Sequence, residues 1–278
     1  MKLVFILGLE HSGTTLTDYL LSLQPNVLGL GEIASFLSAS HMRQYMQRWG
    51  SYSDVSLCSC GADWNECPFW GEIIQLSGLH SDQSLAQKYK RLFQHIRTTY
   101  GDNLVVVDSS KSLDTLAMLL QQHEQMGFNA TDIHVIYTLK DVRSFTASII
   151  NKQGQAKSLL SIVRCFNYWL KVNRAMLDFV ETHTGPVSIN LYEHLCADPD
   201  AFVRAQMAPL LPANGAAADP LTMSGAHIAM GNKDFVMRNI DRVRYDSRWY
   251  LNDRIHLVYL LHAAARQFNH RVHKVARR

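Results

Sequence analysis

Leu3-Val4-Phe5-Ile6-Leu7-Gly8-Leu9-Glu10-His11-Ser12-Gly13-Thr14-Thr15, with Leu16, Tyr19, Leu20 and Leu23 continuing at helical spacing, is the stretch on which the fold turns. An apolar run of strand length passes through a glycine-containing turn into a helix start, the arrangement of a strand–loop–helix phosphate cradle. Gly8 and Gly13 let the backbone curl so that its N–H groups point inward, and the helix N-terminus adds roughly half a positive charge. Ser12, Thr14 and Thr15 add hydroxyl donors. An ordinary βα turn capped by Ser or Thr is the plainer alternative; the position directly after the first strand favours the anion site. A nucleoside-triphosphatase loop of this spacing carries Lys after its second glycine, where this chain has Thr14. A shorter anion is expected, with no γ-phosphate to neutralise.

Moving outward, Val- and Ile-rich runs recur at Leu104–Val107, Ile133–Leu139 and Val187–Leu191, each followed by helical periodicity. Strands alternating with helices predict an α/β fold: a P-loop-like parallel sheet flanked by helices. Val163, Phe166, Leu170, Leu177 and Val180 mark a long core helix from about Lys157 to Glu181. Ile255, Val258, Leu261, Ala265 and Phe268 mark a C-terminal helix over 251–269, so the C-terminal part is mainly helical. The aperiodic region at about 41–87 reads as an inserted, cysteine-containing lid. No linker interrupts the 278 residues, which predicts a single domain over 1–278.

Composition narrows the function. Hydrophobic residues at 47% and charged residues at 18% are sufficient for a full core and exclude disorder for the bulk of the chain. The net charge of +3 suits a small anionic ligand, and only the tail His270–Arg278 is markedly basic, so no nucleic-acid partner is expected. No apolar window reaches the roughly 18 residues of a membrane span, and the first apolar run meets Gly8, Glu10 and His11 too soon for a signal peptide. Five cysteines, an odd number, suit a reducing compartment; a cytoplasmic location is expected.

A second anion site is expected at the end of the Ile133–Leu139 strand. Lys140 stands there, and Ser144, Ser148 and Lys152 fall on one face of the helix that follows, with Val142, Phe145 and Ile149 on the other. A solvated polar face is the alternative. Two separated anion sites call for a nucleotide carrying two separated phosphates.

At this point the sequence resembles the sulfotransferases that use 3′-phosphoadenosine 5′-phosphosulfate (PAPS). His11-Ser12-Gly13-Thr14-Thr15 looks like that family's 5′-phosphosulfate loop, Gly31-Glu32 like its "GE" element, and Val107-Asp108-Ser109-Ser110-Lys111-Ser112 like the second-strand motif of many bacterial members. Lys140-Asp141-Val142-Arg143 through Ser148 is similar to the 3′-phosphate motif, Cys58-Ser59-Cys60-Gly61 with Cys67-Pro68-Phe69-Trp70 to an insertion of one bacterial branch, and His227–Asn232 to a late "H…GN" segment. Two positions depart from the pattern: His11 stands where Arg or Lys is usual, and Lys140 where Arg is usual, keeping the charge without bidentate geometry.

The resemblance implies PAPS as donor, 3′,5′-bisphosphoadenosine (PAP) as product, no required metal, and transfer of the sulfuryl group to a hydroxyl or amine of a small-molecule acceptor. It implies Glu32 as general base and His11 or Lys111 as the cation that steadies the sulfonate. Donor-binding residues would be His11, Ser12, Gly13, Thr14, Thr15, Lys140, Ser148, Lys152, Asn232 and Lys233. Gly31-Glu32 as a plain helix cap stays open; Asp108 reads as a residue that ends its strand and caps or orients Ser109–Lys111, a structural role at least as well supported as a catalytic one; His227 belongs to a loop that could close over the nucleotide, although a lone histidine is more often structural. A small-molecule or nucleotide kinase and a non-catalytic nucleotide-binding module are the competing functions; the kinase would need the missing cradle Lys and a Mg²⁺ carboxylate.

Cys58, Cys60 and Cys67 offer three thiols, one short of a zinc site, with His41 or His80 required to complete it. Free thiols or an occasional disulfide in a packed, lid-like insertion are the expectation, with Cys165 and Cys196 as small buried or half-buried hydrophobes. Tyr45, Trp49, Tyr52, Trp64, Phe69 and Trp70 would line an acceptor pocket or form the insertion's own core. The loop Pro212–Ala226 is a further place for acceptor specificity. A hydroxylated metabolite or natural-product intermediate is the expected acceptor class, and the oligomeric state is not readable.

Overall fold

The structure is a computed structural model and describes residues 1–38, 57–76, 83–153, 158–210, 225–232 and 243–276. Its elements in chain order are β1 (Lys2–Gly8), α1 (Thr14–Ser22), β2 (Val27–Gly29), α2 (Ile33–Leu37), α3 (Trp70–Leu76), α4 (Leu85–Tyr100), β3 (Val105–Lys111) and α5 (Leu113–Gln121). There follow β4 (Ile133–Leu139), α6 (Val142–Gln153), α7 (Leu159–Thr182), β5 (Val187–Leu191), α8 (Tyr192–Ala197), α9 (Pro199–Met207), β6 (Gly225–Ala226), α10 (Asp253–Leu261) and α11 (Ala263–Val275).

The six strands form one sheet in the order β5-β4-β1-β3-β2-β6, and every pairing is parallel. Parallel strands are linked by crossovers that cover both faces, which explains why their sequences are almost wholly apolar. In β1 the alternation is visible: Leu3, Phe5 and Leu7 enter the core on one face, and Val4 and Ile6 the core on the other. Each of these five side chains is fully buried, worth about 1.5–3 kcal/mol apiece relative to exposure.

The four strands expected from sequence are present. β2 and β6 were not expected; with three and two residues they are too short to show a period. β3 runs on through Asp108 to Lys111, so Asp108 lies inside the strand instead of ending it. The long helix α7 starts at Leu159, where the Ser158 side chain accepts the Ser161 N–H, and ends at Thr182. The single helix expected over 251–269 is two helices. They break at His262, whose ring accepts the Ala265 N–H as cap of α11, and Leu261 faces solvent at 75% exposure instead of joining the apolar stripe.

The described part of the insertion is no loose lid. Cys58, Trp64, Cys67, Phe69 and Trp70 are buried in the main core, and Phe36 of α2 packs on Trp64 and Trp70 with ring centroids 5.1 and 4.3 Å apart. These aromatics are therefore core packing; Tyr45, Trp49 and Tyr52 lie outside the described residues.

Candidate active site

Parallel sheets place their functional groups at the carboxyl ends of the strands. After β1 the chain turns through Leu9–Gly13 into α1. His11 at φ +64° and Gly13 at φ +87° both take the left-handed conformation. Glycine is required at 13 on steric grounds as well, because a Cβ there would stand 2.6 Å from the Tyr192 ring. The Ser12 hydroxyl is buried and has no hydrogen-bond partner among the described residues. A buried unpaired hydroxyl beside the N-terminus of a nine-residue helix suits an oxyanion. The late segment comes down onto this loop: the Asn232 N–H donates to Thr15 Oγ1 at 3.5 Å, and a Cβ at Gly231 would stand 3.0 Å from the same oxygen.

After β4, Lys140 donates to Ser148 Oγ at 2.9 Å across two turns of α6 and sits 4.4 Å above the centre of the Tyr192 ring. The pair already holds an anion. Asp246 Oδ2 accepts from Ser148 at 2.6 Å and from Lys140 at 3.3 Å, and Arg248 grips the same carboxylate at 2.7 and 2.8 Å. Burial on its own would raise Asp246, but the bonds from Arg248 and Ser148 and the charge of Lys140 hold it well below the usual carboxylate range. Burial pushes the Lys140 ammonium down, with Asp246 opposing. The expected polar face of α6 is thus an inward one, with Ser144 and Ser148 both buried. Arg143 turns back on Asp141 in a fork at 2.9 and 2.7 Å and stacks on Trp249 and Tyr259, which makes it a structural clamp.

Just past β2 and at the last residue of β3 stand Glu32 and Lys111, whose carboxylate and ammonium form a direct, partly buried ion pair. Glu32 does occupy the N-cap position of α2, yet its side chain makes no capping bond. Lys111, like His11, is a non-glycine residue at positive φ, +69°. Such strain gathers at functional positions. Behind them lie two fully buried carboxyls. Asp18 accepts the Gly31 N–H at 3.0 Å and the Ser109 hydroxyl at 2.8 Å, and burial pushes it up to about 8 against those two bonds. Asp108 accepts from Tyr89 Oη at 2.7 Å and from the Ser110 N–H at 2.9 Å, and burial raises it to about 6. Both act as internal ties that set the ends of β2 and β3.

The sequence leaves His227 either on a loop closing over the nucleotide or, as the more common case for a lone histidine, structural. The structure puts its ring among Cys58, Cys60 and Cys67, which agrees with the structural reading. His41 and His80, either of which a zinc reading would have needed as the fourth ligand, lie outside the described residues, as do Lys233 and the side chain of Lys152. Tyr192, Asp246 and Arg248 were missed altogether. A Tyr directly after a parallel strand was a usable signal for the first; nothing local announces the other two.

No family model and no curated protein matches the sequence. Solved structures do. The sulfotransferase domain from the Synechococcus PCC 7002 olefin synthase matches with a TM-score of 0.56 at 17% identity, over 96% of this chain and 94% of that one. The sulfotransferase domain from the curacin biosynthetic pathway matches with a TM-score of 0.53 at 16% identity, over 93% of this chain and 96% of that one. Among the described residues no helix is long and apolar enough to cross a membrane. A six-stranded parallel sheet with its candidate site along the carboxyl edge, matched over nearly the whole length of both chains, gives this protein the fold of the sulfotransferase domains.

Proposed function

We propose that this protein is a sulfotransferase that carries the sulfuryl group of PAPS to a hydroxyl or amine of a small-molecule acceptor by in-line displacement. One observation carries the reading: the order of groups along the sheet edge. Neighbouring strands β4, β1, β3 and β2 end in the Lys140–Ser148 pocket, the cradle, Lys111 and Glu32 respectively. A donor with two separated phosphates lies along the first two stations. Its transferable group then points toward the third and fourth.

In this arrangement the 3′-phosphate takes the place of the Asp246 carboxylate on Lys140 and Ser148. Backbone N–H groups of Ser12–Thr15 and the buried Ser12 hydroxyl meet the charge that grows on the departing 5′-phosphate. Lys111 turns from Glu32 to the sulfonate oxygens, with His11 beside the cradle. Glu32, released from its ion pair, takes the acceptor's proton as the nucleophile attacks sulfur opposite the leaving oxygen. The acceptor would enter beside Glu32, and the low net charge suits a metabolite-sized partner more than a nucleic acid.

Calorimetry of PAP against AMP and ATP, without added metal, tests the reading on the parent chain and on Lys140→Ala. The expected result is a strong preference for PAP that falls roughly thirtyfold or more in the variant, as when one partner of a buried charged contact is removed. Equal or tighter binding of ATP, strengthened by Mg²⁺, would overturn it in favour of a kinase.

A further inference from the structure

The insertion carries a cluster that sulfuryl transfer does not use. Cys58, Cys60, Cys67 and His227 bring their ligand atoms within 4.8 Å of one another. His227 Nδ1 lies 3.3 Å from Cys67 Sγ and 3.7 Å from Cys58 Sγ, and Cys60 Sγ lies 3.8 Å from Cys67 Sγ. A tetrahedral zinc ion with Zn–S near 2.3 Å and Zn–N near 2.0–2.1 Å sets S···S edges at about 3.8 Å and S···N edges at about 3.6 Å. The 3.8 and 3.7 Å separations match those edges to within about 0.1 Å, and the 3.3 Å one is about 0.3 Å short of its edge. All are far from the roughly 2.0 Å of a disulfide.

We propose that Cys58, Cys60, Cys67 and His227 bind one structural zinc ion. Three thiolates and an imidazole form a soft donor set that selects zinc over harder cations, and four protein ligands leave no open position for catalysis. The backbone is already shaped for the ion. Cys58-Ser59-Cys60-Gly61 forms a tight turn closed by the Gly61 N–H on the Cys58 carbonyl at 2.9 Å, with Gly61 at φ +90°. The Trp70 N–H donates to Cys67 Sγ at 3.4 Å, the kind of outer bond that orients and steadies a metal-bound thiolate. Cys58 and Cys67 are 0% and 2% exposed and His227 is 7% exposed, so the ion would be almost wholly enclosed, with only Cys60 reaching the surface.

The ion would join segments 169 residues apart at the Cys58–His227 edge. Around it, the Ser59 hydroxyl donates to the Ala226 carbonyl at 2.6 Å and accepts the Ile228 N–H at 2.8 Å, and Trp70 Nε1 donates to the His227 carbonyl at 2.5 Å. The segment anchored in this way continues past Gly31, where a Cβ would stand 2.7 Å from the Met230 carbonyl, to the contact of Asn232 with Thr15. Zinc therefore fixes from outside the strap that crosses the Glu32 edge and the cradle.

The full-length chain, purified from zinc-supplemented medium without chelator, should contain one zinc per chain by elemental analysis. Exchange with Co²⁺ should give the thiolate charge-transfer and tetrahedral ligand-field bands of an S₃N site. Cys60→Ser, at the exposed ligand, should lose the metal to a chelator more than about tenfold faster, whereas Cys165→Ser, outside the cluster, should hold it like the parent. A folded parent that takes up no zinc from excess, or a Cys60→Ser chain that holds it as tightly, overturns the proposal. So does a disulfide among the three cysteines found by mass under non-reducing conditions. None of these readouts depends on sulfotransferase activity.

Discussion

At the scale of single residues, the candidate site is held by groups that occupy one another. Asp246 fills the Lys140–Ser148 pocket, and Lys111 covers Glu32. On the proposed function, ligand binding must break the first contact and catalysis the second, and this separates two substitutions by what they change. Asp246→Ala removes a competing carboxylate from two buried donors, so PAP affinity measured by calorimetry should rise about fivefold or more, the equivalent of about 1 kcal/mol. If affinity falls instead, the carboxylate positions Lys140 for the phosphate and is not displaced by it. Glu32→Gln keeps shape and removes the proton acceptor. Turnover should fall more than tenfold, within the usual contribution of a general base, while PAP affinity stays within about twofold because Glu32 is two strands away from the cradle. A smaller loss of turnover would remove Glu32 from the role of base.

At the scale of elements, legibility followed length and locality. β1, β3, β4 and β5 announced themselves because a strand buried on both faces must be written in Val, Ile and Leu, whereas β2 and β6 borrow their stability from neighbours and carry no pattern of their own. The cradle was legible since strand, loop and helix start are contiguous in sequence. Asp18 was not: it sits inconspicuously in α1, and its partners Gly31 and Ser109 lie 13 and 91 residues away. Its role is nevertheless testable through pH. The folded protein holds the Asp18 proton up to about 8, while the unfolded chain releases it near 3.8. A raised folded pKa gives a stability contribution that is full below the unfolded value and is lost as pH rises through the window between the two, by up to about 1.4 kcal/mol per pH unit. Asp18→Asn cannot titrate, so its stability by urea unfolding should decline less steeply between pH 5 and 8 than that of the parent. Parallel curves would show that Asp18 is ionised in the fold.

At the scale of the whole molecule, the carboxyl edge of the sheet is assembled by parts of the chain far removed in sequence, and the C-terminal helix is the clearest case. Asn269 of α11 accepts the Val142 N–H at 3.1 Å and donates to Asp141 Oδ2 at 2.9 Å, 128 residues away. Trp169 of α7 donates to the Lys140 carbonyl at 2.9 Å and packs on Phe268 with ring centroids 5.6 Å apart. The turn that carries Lys140 is thus held from the far end of the chain, a relation that no local spacing could reveal. Removing the amide in Asn269→Ala leaves a buried N–H unpaired and strips a donor from a buried carboxylate, for an expected loss of about 1–3 kcal/mol at pH 7. The sign of its pH dependence follows from Asp141. Burial would raise that carboxyl, but the bonds from Arg143 and Asn269 outweigh it and hold the group below its ordinary value of 3.8. A depressed folded pKa contributes stability above the unfolded value and loses it as pH falls through the folded one. The amide contributes to that depression, so the gap between parent and Asn269→Ala should be widest at neutral pH and should narrow below about pH 4. Urea unfolding at pH 7 and at pH 3.5 decides the matter: an equal gap at both values would mean that Asn269 holds the Val142 backbone alone and that Asp141 keeps its charge without help from the C-terminal helix.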